Sequence, residues 1–244
     1  MIAQPPTRGL FVPRALVVLT ALWIFAAWVF LFGFHPPVQA QSASYGPSIE
    51  LLFASIGVGI GIGWPMLRLS GRASDAPLAQ SLFDAIAIIV LLQVVLWPLR
   101  LVTAWSLDRT VSLVIAASLT TITIGALMSL GSGSRRERTR TITMAFLVAL
   151  AVGPAIFRAA VGTVGALFAS FGVGPIASLD TPAALTAASA PALLAHLAAP
   201  LPLNTSIGET VIIRHALIGG AVALALAIVA AVQRRASAPT RPED

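Results

Sequence analysis

The sequence predicts an all-α protein: a polytopic transmembrane helical bundle of about six spans, with both termini on the cytoplasmic side. Three observations predict it. Apolar residues fill 57% of the 244 positions and charged residues only 10%, where a water-soluble domain carries roughly a quarter charged residues. The mean hydropathy is +0.92. The apolar residues also gather into runs of span length. So little polar surface cannot cover a water-soluble globule, and a lipid-facing exterior follows.

A span needs about 20 mostly apolar residues, because the hydrocarbon core is roughly 30 Å thick and a helix rises about 1.5 Å per residue. After a short tail, residues 1–14, the first span is 15–34, with Trp23 and Trp28 inside it and His35-Pro36-Pro37 ending it. The next are 49–67, 82–105 and 110–130. The fifth starts at 141 and reaches 157 or 171. Gly153-Pro154 interrupts it, and a proline removes a helical hydrogen bond and kinks or ends a helix. The sixth is 211–232, and residues 233–244 form a second tail. The transmembrane domain is thus 15–232.

The longest connection, 172–210, holds a short apolar stretch at 183–199. Asp180 or Thr181 is a natural cap for a helix with Pro182 in its first turn. The stretch is short for a span and carries prolines at 182, 191, 200 and 202. It reads as a re-entrant or interfacial helix.

Orientation follows from arginine. All 15 basic residues are arginine. Arg8, Arg14, Arg68, Arg72, Arg135, Arg136, Arg138, Arg140, Arg234, Arg235 and Arg241 fall on one side of a six-span chain. Residues 35–48 and 172–210 carry none. The arginine-rich side is cytoplasmic by the positive-inside rule, which makes the cell inner membrane the expected location. This placement beside spans also argues against nucleic acid as the partner of the +6 net charge. The partner is the lipid bilayer. Val38-Gln39-Ala40 resembles a signal-peptidase site, but the apolar segment before it exceeds the usual 7 to 15 residues of a cleaved signal. Cleavage there would leave five spans.

Gly57, Gly59, Gly61 and Gly63 form two overlapping small-xxx-small pairs within the second span, Gly57/Gly61 and Gly59/Gly63. Such pairs let another helix backbone approach closely. A nucleotide-binding glycine loop would need a strand before it. The octapeptide 52–59 recurs almost unchanged at 167–174, with no longer flanking match.

Membrane-embedded or interfacial charges are Glu50, Asp84, Arg100, Arg158 and Arg214. Glu50 with Arg100, and Glu209 with Arg214, are candidate pairs, because intramembrane charges usually find a partner. The alternative is snorkelling to the interface. Gln93 and Pro98 interrupt the third span. With no cysteine, and three histidines (35, 196 and 215) without ligand spacing, no metal or other cofactor is expected. His215 opens a small-residue run faintly similar to the last helix of rhomboid proteases. Ala116-Ala117-Ser118-Leu119-Thr120 departs from that family's serine setting, so no catalytic residue is assigned.

In outline the chain resembles the six-span permease subunits of ABC exporters, the group that includes the haem-exporter permease. The matching features are two cytoplasmic termini, a cytoplasmic connection at 68–81 between the second and third spans, and a short apolar segment in the outer connection before the last span. That family opens with an amphipathic cytoplasmic helix, whereas only residues 1–14 precede the first span here. The resemblance implies a permease, not an enzyme, working with a separate ATPase chain and paired with a second bundle as a homo- or heterodimer. It implies that Arg68, Arg72 and Asp75 lie in the ATPase-contacting loop. No Gly-x-x-x-x-Gly-Lys loop occurs in this chain itself. Two other functions fit the same composition: a membrane scaffold or assembly factor, and an intramembrane enzyme.

Overall fold

The computed structural model describes residues 14–29, 46–71, 73–103, 105–170, 183–199 and 206–236. Every regular element among them is helical. They are α1 (Arg14–Trp28), α2 (Gly46–Val58), a π-helical turn (Gly59–Gly63), α3 (Trp64–Ser70), α4 (Pro77–Thr103), α5 (Leu107–Ser132), α6 (Glu137–Ser170), α7 (Ala183–Ala188), α8 (Ala190–Ala198) and α9 (Ser206–Ala236). Four stretches are long and apolar enough to cross a membrane: Gly46–Ser70, Pro77–Arg100, Leu107–Ser132 and Glu137–Val161. Two shorter apolar helices, Arg14–Trp28 and Ala216–Val232, flank them. The architecture is compatible with an integral membrane protein.

α5 is the central pillar, touching α4, α6, α8 and α9. Its start is well specified. Ser106 is the N-cap and accepts a hydrogen bond from the Arg109 backbone N–H at 3.3 Å, with Asp108 in the first turn. Its buried threonines need no outside partner. Thr120 and Thr121 each donate to the carbonyl four residues back at 2.7 Å. An apolar surrounding demands this internal satisfaction.

The second expected span is not one uniform α-helix. Across Gly59–Gly63 it widens into a π turn, in which the Trp64 N–H donates to the Gly59 carbonyl, five residues back. Pro65 follows at once. It has no N–H to donate, and its ring crowds the carbonyl four residues back, so the widened turn relieves the crowding at its N-terminal side. The interruption expected at Gly153-Pro154 proves mild. α6 runs continuously through Pro154 to Ser170, and its span-length apolar part is Glu137–Val161. At about 1.5 Å per residue such a helix is roughly 50 Å long, more than the hydrocarbon thickness.

The 183–199 stretch forms two short helices that meet at Ser189, and α8 packs chiefly on α2. Leu193 and Leu194 are completely buried. Ser189 is buried too. It caps α8 by accepting from the Ala192 N–H at 3.4 Å and donates to the Ala151 carbonyl of α6 at 2.9 Å. Ser189→Ala should lower stability by about 1–2 kcal/mol, since both a cap and a buried hydrogen bond are lost. Thermal unfolding in mild detergent is the check; an unchanged midpoint would remove Ser189 from the docking of this segment.

By contrast, α1 and α9 are apolar on their outer sides. Trp23, Phe25, Val222, Leu226 and Val229 are among their exposed side chains. α1 is fixed by Trp23, whose indole N–H donates to the Ser55 carbonyl at 3.0 Å. α9 meets α5 through buried Ala223 and Ala227 against Ala126.

Candidate functional site

Two arginine clamps stand at opposite ends of α5, about 35 Å apart by helix rise. Each arginine sits in the first turn of a long helix and caps the C-terminal carbonyls of a short neighbouring helix. Cations near helix C-termini are favoured by the macrodipole and by the carbonyls left without intrahelical partners.

The first clamp lies at the arginine-rich end. Arg140 of α6 donates to the Leu69 and Gly71 carbonyls, closing the end of α3. The Ser74 N–H donates to the Ser132 carbonyl at 3.0 Å, tying the α3–α4 connection to the end of α5. Beside it, Arg68 of α3 grips Asp84 of α4 with two nitrogens: Nε donates to Oδ2 and Nη2 to Oδ1, the latter at 2.6 Å. Gln80 Nε2 adds a third donor to Oδ1 at 3.1 Å. The Asp84 side chain has no exposure and that of Arg68 is 21% exposed. This bidentate geometry is the strong form of the pair.

The second clamp lies at the other end. Arg109 donates to the carbonyls of Ala198, at 3.3 Å, and Ala199, closing the end of α8. Its guanidinium lies over the Trp105 ring, 4.9 Å from the centroid, within cation–π range. Trp105 in turn meets Phe53 of α2 at 6.2 Å between centroids.

Several expectations from sequence are redrawn by this geometry. Asp84 is not an interfacial charge reaching for water but the buried acceptor of three donors. Arg68, at the end of α3 beside the connecting loop, turns its guanidinium toward the buried Asp84 carboxylate. Asp75 is exposed in the connection; Arg72 lies outside the described residues. No ion pair joins Glu50 to Arg100. Glu50 is on the exposed side of α2, whereas Ile49, Phe53 and Ile56 form its buried side. Arg100 is half-buried and Arg214 exposed. The side chains of Arg158, Glu209 and His215 lie outside the described residues, as do positions 171–174 of the second octapeptide copy.

The four glycines do not act as two equivalent pairs, because the π turn changes their spacing around the axis. A Cβ on Gly57 would come 2.5 Å from the Pro191 Cα, and one on Gly61 would lie 3.6 Å from the Ala190 Cβ, so both face the start of α8. Gly59 faces the Trp23 indole of α1, and nothing lies within 4 Å of a Cβ on Gly63. Gln93 serves its own helix, accepting from the Trp97 indole at 3.1 Å and donating to the Ile89 carbonyl at 3.4 Å.

Two apolar clefts flank the bundle. One, about 360 Å³, lies between α1 and the π turn and is lined by Leu16, Trp23, Ile56, Gly59, Ile60 and Ile88. The other, about 340 Å³, lies between α5 and α9 and is lined by Leu119, Thr123, Leu150, Ala187, Gly220 and Ala223.

Arg109 and its clamp were missed in the sequence. The one local signal is an arginine directly after the Ser106-Leu107-Asp108 helix start. Comparison with known protein families, curated proteins and solved structures finds no match for this chain.

Proposed function

We propose that the chain is a six-span protein of the cell inner membrane, its arginine-rich end in the cytoplasm, and that it serves as the permease subunit of a transporter powered by an ATPase on a separate chain. The observation that carries this reading is the bracing of the α3–α4 connection. A loop that transmits force from a soluble partner to membrane helices must be stiff. Here Arg140 holds the end of α3, Ser74 is bonded to Ser132, and the Arg68–Asp84 pair locks the helices on either side of the loop. Asp75, exposed in this loop, meets the ATPase. A second such bundle completes the substrate path.

A membrane scaffold is the second reading. It is favoured by the apolar outer faces of α1 and α9, which suit partner helices as well as lipid.

Purification of the tagged protein from its native host in gentle detergent, followed by mass spectrometry, separates the two. The permease reading expects an ATPase in near-equal amount, and expects replacement of residues 72–76 by a Gly-Ser linker, which loosens the braced loop, to release it from protein that still folds. A folded preparation that brings down only other membrane proteins would establish the scaffold instead.

A further inference from the structure

The α7–α8 segment differs from the other helices around it. It lies between α2, α5, α6 and α9, yet α8, at about 1.5 Å per residue, covers less than half the hydrocarbon thickness. The break at Ser189 is level with the middles of two span-length helices. Its hydroxyl meets Ala151, near the middle of the apolar part of α6, and the adjoining Ala190 and Pro191 meet Gly57 and Gly61, near the middle of the second span.

The contacts that hold it are of two kinds. Along α2 they are apolar: Gly57 and Gly61 lie against Ala190 and Pro191, and Leu193, Leu194 and Leu197 share one buried cluster with Ile49, Phe53 and Ile56. The polar attachments sit at the two ends of α8, Ser189 on Ala151 at its start and the Arg109 clamp on Ala198 and Ala199 at its finish. A segment whose polar attachments lie at its ends, with only non-directional apolar contacts between them, can leave as a unit. Its departure would uncover the wholly buried Leu193 and Leu194 and the faces of α2, α5 and α6 behind them.

We propose that α7–α8 is a displaceable plug, latched by Arg109, whose release opens an aqueous path from the Arg109 end to the centre of the bundle. This deepens the transport reading, on which it rests, by assigning the gate. Local openings of this kind have their own free energy, below that of global unfolding.

Thiol accessibility tests it, because the chain has no cysteine of its own. Leu193→Cys, or Leu194→Cys should the first fail to fold, is exposed in intact cells to a charged, membrane-impermeant methanethiosulfonate reagent. Met128→Cys, equally buried in α5 but outside the plug, is the control. The plug cysteine is expected to react, and Arg109→Gln to speed its reaction about tenfold, the factor that one charge-assisted hydrogen bond represents. The control is expected to stay unreactive in both backgrounds. An unreactive plug cysteine in both backgrounds would make α7–α8 a fixed packing element and overturn the proposal. So would equal acceleration at Met128→Cys, which would mean that the whole bundle had loosened. A reactive plug cysteine that Arg109→Gln does not speed would overturn the latch. The readout requires no ATPase. A reactive plug without an ATPase partner would sink the transport reading alone, and an unreactive plug in a chain that carries one would sink the plug alone.

Discussion

Asp84→Ala should destabilise the protein by about 3–5 kcal/mol, the cost of leaving one member of a buried ion pair without its partner. The Arg68 guanidinium is held between α3 and α4 and only 21% exposed, and among the described residues Asp84 is its acceptor. Gln80 loses its acceptor as well. The companion variant is the double replacement Arg68→Met/Asp84→Met, which removes both charges and keeps apolar volume; it should recover most of the loss, because paired buried charges contribute little net stability over a packed apolar pair. Thermal unfolding of wild type, Arg68→Met, Asp84→Met and the double variant in one detergent yields the coupling between the two residues. A double variant as unstable as Asp84→Ala would show that the shape of the site, not the unpaired charge, is at stake.

Gly57→Leu should prevent α8 from docking. A Cβ at position 57 falls 2.5 Å from the Pro191 Cα, 2.6 Å from its nitrogen and 2.7 Å from the Ala190 carbonyl carbon. All three are backbone atoms, so no side chain can rotate away, and either α2 or α8 must move. Even Gly57→Ala should cost about 1–3 kcal/mol, the usual range for overpacking a tight contact. Gly63→Ala is the internal comparison: it meets nothing within 4 Å and should be neutral or stabilising by up to about 1 kcal/mol, since alanine is the better helix former. Unfolding midpoints and the protease sensitivity of residues 183–199 measure the difference. Equal behaviour of the two alanine variants would mean that α8 does not rest on Gly57.

Helix existence was legible in the sequence because it depends on apolar run length, which is a local property. The expected 49–67, 82–105 and 110–130 became helices at Gly46–Ser70, Pro77–Thr103 and Leu107–Ser132, each shifted by a few residues at its ends. Those shifts fall where a cap or a polar turn can extend a helix beyond its apolar stretch, as Ser106 and Asp108 do for α5. The site was much less legible. Arg68 and Asp84 are 16 positions apart with a connection between them, and their pairing depends on how α3 and α4 lie side by side. Arg109 and Ala199 are 90 positions apart. An apolar pattern reports which residues are buried together, not which carbonyls a guanidinium will reach. The glycine spacing was read on an α-helical wheel, and Pro65 was the overlooked sign that the wheel would not apply.

The π turn also sets angular registry. Each residue of an α-helix advances the side chains by about 100°, so a turn that takes up one more residue than its α counterpart rotates everything after it by roughly that angle. Residues 46–58 and 64–70 are therefore aimed independently, although they belong to one continuous rod. The first part directs Gly57 at α8; the second directs Arg68 at Asp84. Deleting a single residue from Gly59–Gly63 would restore an unbroken α-helix and leave the first aim as it is. The arginine would keep its aim too, because the residue removed is the one the widened turn takes up; forcing all the residues into an α-helix is what would swing it about a quarter of a turn away.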